Sequence, residues 1–218
     1  MEQLLAEAKM LLEGATFPWA VCGGYALDLF LNRATRPHGD VDLCAFESDR
    51  DAILRYILRK GWLVYEFRGQ GKVRPLDAES SSDAGRNLMC VKEGCRLVEF
   101  YPCEEQGMLY HQFFHTGISN LDYVEFLFNK AAEGQFVFDG EKQIQHELPQ
   151  AILFRDGLPY LAPEIVLLFK ALQPEREENQ ADMAQAWPAM SRRQKDWFVN
   201  SLKQRFPEGH PWLDGLSE

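Results

Sequence analysis

The sequence has 218 residues, of which 46% are hydrophobic and 26% are charged. These proportions are typical of a globular protein with one sizeable core, and they exclude disordered, collagen-like and coiled-coil chains. The formal net charge of −10 gives no general attraction to nucleic acid or to an anionic membrane, so neither is expected as a partner. No apolar run approaches the ~20 residues of a membrane helix. The first residues also lack the pattern of a signal or transit peptide, which makes the cytoplasm the expected compartment.

Hydrophobic spacing predicts alternating helices and strands in the first sixty residues. The expected order is a helix over 1–12, a strand over 18–22, a helix over 25–31, a polar loop over 32–39, a strand over 40–46 and a helix that is capped at Ser48 and ends at Gly61. The next stretch is β-like. It reads as a strand over 62–67, a loop over 70–85, a hairpin that joins 87–92 to 96–101, and a second hairpin that joins 121–128 to 135–138.

The last part of the chain is predicted to be helical. Pro163 suits a first helical position and precedes an apolar stripe, a further helix is expected around 180–187, and Ser191 with Gln194 predicts a capped last helix. We therefore predict an α+β chain. A mixed sheet flanked by helices occupies residues 1–140, and a C-terminal helical region occupies 141–218.

The five cysteines are an odd number, and buried reduced thiols are their expected state. A zinc site is a weaker alternative, because thiolates and imidazoles at moderate spacing can hold that ion. Its ligands would be Cys90, Cys95, Cys103 and His111.

The stretch from Trp19 to Leu43 contains the candidate phosphate-binding and metal-binding residues. A strand ends in Gly23-Gly24 and opens a helix, which lets a backbone approach phosphate and aims helix N–H groups at it. Asp40 and Asp42 are spaced so that, within one strand, both carboxylates leave the same face. Two like charges at that spacing repel unless a cation lies between them, and hard oxygen ligands favour Mg²⁺.

These motifs, together with basic residues in the loop between them, resemble the signature of the DNA polymerase β-like nucleotidyltransferases. The nearest likeness is to the branch of the aminoglycoside and lincosamide nucleotidyltransferases. The segments that carry the resemblance are Gly23-Gly24 with Asp28, Arg33, Thr35-Arg36, His38, Asp40-x-Asp42, the Tyr123–Phe128 strand, the Gly157–Glu164 segment and Leu167–Lys170. The resemblance implies a polymerase β-like fold and a cytoplasmic transferase of the antibiotic-resistance type. Such an enzyme moves a nucleoside monophosphate, usually AMP from ATP, onto a hydroxyl of a small molecule.

The resemblance also implies roles for residues. Asp40 and Asp42 would hold Mg²⁺, and Gly23 with Gly24 would cradle the triphosphate. The flanking Arg36 and His38 could contact phosphate, and Lys170 would add a point charge. For Lys170, an ordinary solvated lysine is a nearly equal interpretation.

A third carboxylate is needed to take the proton from the acceptor hydroxyl or to complete the metal site. Glu99 and Glu125 both interrupt apolar strands in near-identical settings, where an unpaired charge is costly. Glu125 is preferred, because the resemblance runs almost without gaps from it to Lys170. Glu99 stays open as the alternative.

Two other functions share this fold. One is a toxin-type nucleotidyltransferase that modifies RNA or protein. The net charge of −10 argues mildly against an RNA substrate. The other is a nucleotide-binding module that has lost catalysis, against which the intact Asp40 and Asp42 argue. The sequence does not name the acceptor, and an aminoglycoside-like polycation suits its acidic character.

Overall fold

The computed structural model describes residues 2–80, 86–105, 107–115, 121–138 and 143–215. The helices are α1 (Glu2–Leu11), α2 (Gly23–Leu31), α3 (Arg50–Arg59), α4 (Leu148–Ala151), α5 (Pro163–Lys170), α6 (Glu177–Ala186), α7 (Arg192–Arg205) and α8 (Pro211–Asp214). The strands are β1 (Trp19–Val21), β2 (Asp42–Phe46), β3 (Trp62–Gly69), β4 (Lys72–Leu76), β5 (Leu88–Lys92), β6 (Val98–Glu105), β7 (Met108–His115), β8 (Tyr123–Ala132), β9 (Gln135–Val137), β10 (Gln145–Glu147), β11 (Ile152–Arg155) and β12 (Leu158–Leu161). The predicted α+β class is confirmed. None of the helices in the described ranges is long and apolar enough to cross a membrane.

The chain divides into two compact units that interleave along the sequence. Unit 1 comprises Met1–Ala20 and His38–Lys130, and unit 2 comprises Val21–Pro37 and Ala131–Glu218. The predicted boundary between residues 140 and 141 falls among residues that the structure does not describe, and it stays a prediction.

Unit 1 is built on a mixed sheet with the strand order β2-β8-β5-β3-β4-β7-β6. Only the β2–β8 pair among these is parallel, and the remaining neighbours run antiparallel. One face of the sheet carries an apolar cluster that includes Tyr65, Met89 and Tyr123, with Phe100 stacked on Tyr65 at 4.5 Å between ring centroids. The sheet thus presents the start of β8 beside the start of β2.

The predicted hairpin of 87–92 with 96–101 is wrong. β5 pairs with β3 and β8, whereas β6 pairs with β7 along its whole length. The predicted loop over 70–85 contains β4, and its residues 81–85 lie outside the described part of the chain. Local turn signals identified where the chain reverses, but strand partners in this sheet are set by long-range packing.

A buried ion cluster lies within the same sheet. Glu66 on β3 is fully buried and lies 3.2 Å from Arg50, 3.3 Å from Arg68 and 3.1 Å from Arg74. The Arg50 guanidinium also lies 4.7 Å from the centre of the Phe128 ring. These contacts tie α3, β3, β4 and β8 together.

Unit 2 contains the helices α2 and α4 to α8. Its β11 and β12 form an antiparallel hairpin, β12 pairs in parallel with Val21 of β1, and β10 pairs with β9. The predicted helices after Pro163 are present, and the capping box of Ser191 and Gln194 at the start of α7 is confirmed. Strands β10 to β12 were not predicted, since each is only three or four residues long.

Candidate active site

Asp42 and Glu125 lie side by side at one edge of the unit 1 sheet, and Asp40 precedes that edge in the chain. Asp42 is the first residue of β2 and lies in register with Glu125 on the parallel strand β8. Adjacent strands lie about 4.8 Å apart, so the two side chains leave neighbouring positions. The sequence had predicted that Asp40 begins this strand, but Asp40 lies two residues before β2. We call Asp40, Asp42 and Glu125 the carboxylate edge.

The electrostatics of Glu125 reflect its surroundings. Burial raises the pKa of this carboxyl to about 7, a hydrogen bond from the hydroxyl of Tyr123 opposes that rise, and the charge of Asp40 adds to it. Tyr123 is buried on the same strand, two residues earlier, so its side chain leaves the same face. Sequence reasoning assigned no role to Tyr123, although the Tyr-x-Glu spacing was the available signal.

The donors of the carboxylate edge fit a hard cation. All are carboxylate oxygens, which Mg²⁺ prefers, and the repulsion of Glu125 by Asp40 is what a bound cation would offset. Within the described ranges, no group of three or more His, Cys, Asp or Glu side chains could hold a metal ion. A cation held by Asp40 and Asp42 would take its remaining ligands from substrate and water.

Glu99, the alternative third acid, lies elsewhere. It is exposed on β6 in register with Phe114, and its carboxylate accepts a hydrogen bond of 2.8 Å from the Tyr101 hydroxyl. Asp42 and Glu125 are thus the pair that the sheet aligns, and Glu99 belongs to a different strand pair.

The zinc alternative finds no support among the described residues. The five cysteines are free thiols, and Cys44 and Cys90 are buried, with burial raising the pKa of both thiols. A neutral buried thiol is a poor metal ligand, because the thiolate is the form that binds.

The two glycines lie at the start of α2 in unit 2. Gly23 and Gly24 form the first turn of the helix, which was predicted to begin at Tyr25. Gly23 has φ of +63°, a left-handed conformation that favours glycine. The preceding Cys22 makes no side-chain cap, so the first-turn N–H groups receive no hydrogen-bond acceptor from that side chain.

Two of the predicted phosphate-binding cations come together in unit 2. The Arg36 guanidinium donates to both oxygens of Asp182, at 3.1 and 3.0 Å, and the Lys170 ammonium lies 2.8 Å from the same carboxylate. Burial would raise the pKa of Asp182, but the hydrogen bonds from Arg36 and Lys170 outweigh it and hold the pKa below its usual value. We call Arg36, Lys170 and Asp182 the cation cluster. Its formal charge is +1.

The loop before β2 is held by a second buried acid. Asp28 on α2 is fully buried and accepts hydrogen bonds from the backbone N–H of Thr35 at 2.9 Å and from its hydroxyl at 2.6 Å. His38 follows in this loop, two residues before Asp40, and is partly exposed. Asp28 therefore has a structural role that its place in the motif did not reveal.

Comparison with known proteins finds one matching family model and several similar solved structures. Residues 4–90 match the family model described as aminoglycoside-2''-adenylyltransferase. The chain is similar to the solution structure of the antibiotic-resistance factor ANT(2'')-Ia, with 13% identity, a TM-score of 0.54, and coverage of 94% of this chain and 92% of that one. It is also similar to the crystal structure of the lincosamide antibiotic adenylyltransferase LnuA with lincomycin bound, with 11% identity, a TM-score of 0.52, and coverage of 87% and 98%. No curated protein matches the sequence. At these identities the structural likeness establishes the fold, and the predicted nucleotidyltransferase fold is confirmed.

Proposed function

We propose that this chain adenylylates a small molecule, as the aminoglycoside and lincosamide adenylyltransferases to which it is similar do. The reaction moves a nucleoside monophosphate, AMP from ATP, onto a hydroxyl of the acceptor and releases pyrophosphate. The observation that carries the proposal is the register of Asp42 with Glu125 on adjacent parallel strands, with Asp40 close enough to raise the pKa of Glu125.

Glu125 is the general base in this proposal. Its carboxylate takes the proton of the acceptor hydroxyl as the oxygen attacks the α-phosphorus, and the bond to pyrophosphate breaks. A pKa of about 7 suits that task, since a base works best when its pKa lies near the operating pH. The Tyr123 hydroxyl orients the carboxylate through its hydrogen bond.

Asp40 and Asp42 would hold Mg²⁺, which supplies charge neutralisation at the phosphates. Gly23 and Gly24 would offer first-turn N–H groups to the triphosphate, since a helix N-terminus favours an anion. Arg36 and Lys170 would add the net positive charge of the cation cluster, and His38 would contribute from the loop before Asp40.

The acceptor class follows from the family and from charge. The family model is named for an aminoglycoside enzyme and LnuA for lincosamides. A net charge of −10 favours the approach of an aminoglycoside, which is a polycation. We therefore propose an aminoglycoside-like antibiotic as the acceptor, and antibiotic resistance as the consequence.

Pyrophosphate release tests the proposal. The purified chain is incubated with Mg²⁺ and each nucleoside triphosphate over a panel of aminoglycosides and lincosamides, with tRNA as a macromolecular acceptor. We expect release with ATP and an aminoglycoside, and none when Mg²⁺ is chelated. Release with tRNA alone would identify the toxin-type activity instead, and nucleotide binding without release from any acceptor would identify a catalytically lapsed module.

A further inference from the structure

Unit 2 contains a cavity that the proposed reaction does not use. Its volume is about 810 Å³, within the ~300–1,000 Å³ range of small-molecule sites. Its walls come from α2, β9, β10, α4, β11, β12, α5 and α7, all within unit 2, and they include none of the residues assigned above to the reaction.

A buried hydrogen-bonded network forms one wall of the cavity. His146 and Glu164 are almost fully buried, and the imidazole Nε2 lies 3.0 Å from one oxygen of Glu164. The other oxygen accepts a hydrogen bond of 2.8 Å from Gln194. Both carboxylate oxygens of Glu164 are therefore engaged in hydrogen bonds within unit 2. Nδ1 of His146 makes no hydrogen bond to any residue that the structure describes, so it can serve a ligand.

The two arginines that line the cavity have few carboxylate partners. Arg155, at the end of β11, forms no ion pair with a carboxylate of the described residues. Its guanidinium hydrogen-bonds to Tyr160, and this contact opposes the rise that burial causes in the pKa of the Tyr160 hydroxyl. Arg193 lies 3.4 Å from Glu147, and both of these side chains are exposed, so that pair contributes little. A guanidinium in a concave wall recognises carboxylate and phosphate groups through its fork of donors.

Aromatic rings supply the apolar part of the lining. The Trp197 ring lies 4.8 Å from the His146 ring, and its indole N–H donates to the carbonyl of Gln145 at 2.9 Å, which fixes its orientation. Phe30 and Tyr160 add further ring surface. Fixed rings of this kind favour a planar ligand.

We propose that this cavity is a binding site for a ring-bearing organic anion, whose carboxylate or phosphate pairs with Arg155 and whose ring lies against Trp197. The site is separate from the carboxylate edge in composition and does not depend on the proposed transfer reaction. Its ligand differs in charge from the polycationic acceptor proposed above.

Calorimetry on the metal-free full chain tests this with three matched probes: 2-naphthoate, the uncharged 2-naphthamide, and acetate, which has no ring. We expect 2-naphthoate to bind, with 2-naphthamide at least about tenfold weaker, because a charge-assisted hydrogen bond is lost. Acetate should give no measurable binding. Equal affinities for 2-naphthoate and 2-naphthamide would overturn the proposal.

Variants locate the site. Arg155→Gln should weaken 2-naphthoate binding at least about tenfold and leave 2-naphthamide unchanged, whereas Arg155→Lys should retain part of the affinity. Arg192→Gln is the control, because that guanidinium pairs with Asp196 and lies outside the lining. Unchanged 2-naphthoate affinity in folded Arg155→Gln would refute the assignment.

Nuclear magnetic resonance adds a readout that does not depend on stability. The indole N–H signal of Trp197, identified by its loss in Trp197→Phe, should shift on addition of 2-naphthoate. Binding that leaves this signal unmoved would place the ligand elsewhere and overturn the proposal. Competition by AMP then distinguishes the two kinds of anionic group. If AMP displaces 2-naphthoate, the site accepts a phosphate; if AMP does not displace it, the site is selective for carboxylates.

Discussion

The carboxylate edge and the cation cluster are both built from charged side chains, but like charges repel in the first and opposite charges pair in the second. In the carboxylate edge, Asp40 repels the buried Glu125 and raises the pKa of that carboxyl to about 7. In the cation cluster, a single buried Asp182 accepts from both Arg36 and Lys170, and its pKa is lowered. Repulsion in the carboxylate edge lowers the stability of the fold and would be offset by a bound cation. In the cation cluster, the opposite charges already offset each other. In the proposed function, the carboxylate edge acts on the substrate, whereas Arg36 and Lys170 are held in place to bind it.

Loss of either aspartate from the carboxylate edge should have the largest effect. Asp40→Asn and Asp42→Asn should reduce pyrophosphate release to background, since charge neutralisation by the metal supplies several kcal/mol. The fold should persist in both, and Asp40→Asn also removes the repulsion of Glu125 by Asp40. Asp122→Asn is the control, as its carboxylate pairs with Lys92 at 2.8 Å near the start of the same β8 strand. Wild-type turnover of Asp42→Asn with Mg²⁺ would refute the two-carboxylate site.

Glu125→Gln should reduce turnover by a factor on the order of 10²–10⁴, the usual contribution of a general base. Binding of ATP, measured by calorimetry with Mg²⁺, should survive because the amide keeps the shape of the side chain. Glu99→Gln is the matched control and should keep near-normal turnover, since Glu99 is exposed on β6. The reverse ranking of these two variants would make Glu99 the third acid.

The raised pKa of Glu125 predicts a pH-dependent stability in metal-free protein. The folded carboxyl has a pKa of about 7 and the ordinary value is 4.5, so the folded state holds this proton more tightly. The stability from this group is complete below pH 4.5 and is lost as the pH rises through 7, by roughly 3 kcal/mol in total. Denaturant unfolding at pH 4.5 to 8 should show Glu125→Gln gaining stability relative to the parent as pH rises. A constant difference over that range would contradict the burial argument.

Asp182→Asn should have the smallest effect on catalysis. We expect the KM for ATP to rise about tenfold with kcat little changed, because Arg36 and Lys170 lose the carboxylate that positions them. Unfolding free energy should fall by about 2 kcal/mol, less than for a fully buried pair, since Arg36 is 26% exposed. Glu164→Gln removes another buried acid of unit 2 and should lower stability without moving the KM. A KM shift in both variants would mean that the effect is general destabilisation.

The sequence predicted those parts that depend on neighbours along the chain. The Gly-Gly turn, the Asp-x-Asp spacing and the helix caps at Pro163 and Ser191 all express local geometry. The capping pair at Ser48 was wrong, because Asp49 precedes α3 and makes no side-chain cap. The strand partners of β5 and β6 were wrong, because a turn signal reports a reversal and not which strand the chain meets afterwards.

The site was predictable as a set of residue types and less so as a set of contacts. Arg36 and Asp182 are 146 residues apart, and no spacing rule connects them. The choice between Glu99 and Glu125 needed the sheet register, because both have the same local setting. The functional roles of these residues stay predictions until the variants are measured.

Two consecutive residues of the loop before β2 are each anchored to a different buried acid. Thr35 is held by Asp28 and Arg36 by Asp182. The loop is therefore ordered by the folding of unit 2 itself. In the proposed reaction, little conformational entropy would be left to lose when a triphosphate arrives, and such preorganisation would favour fast and tight nucleotide capture. Selection for nucleotide affinity would then act on Asp28 and Asp182, two side chains assigned no contact with the nucleotide.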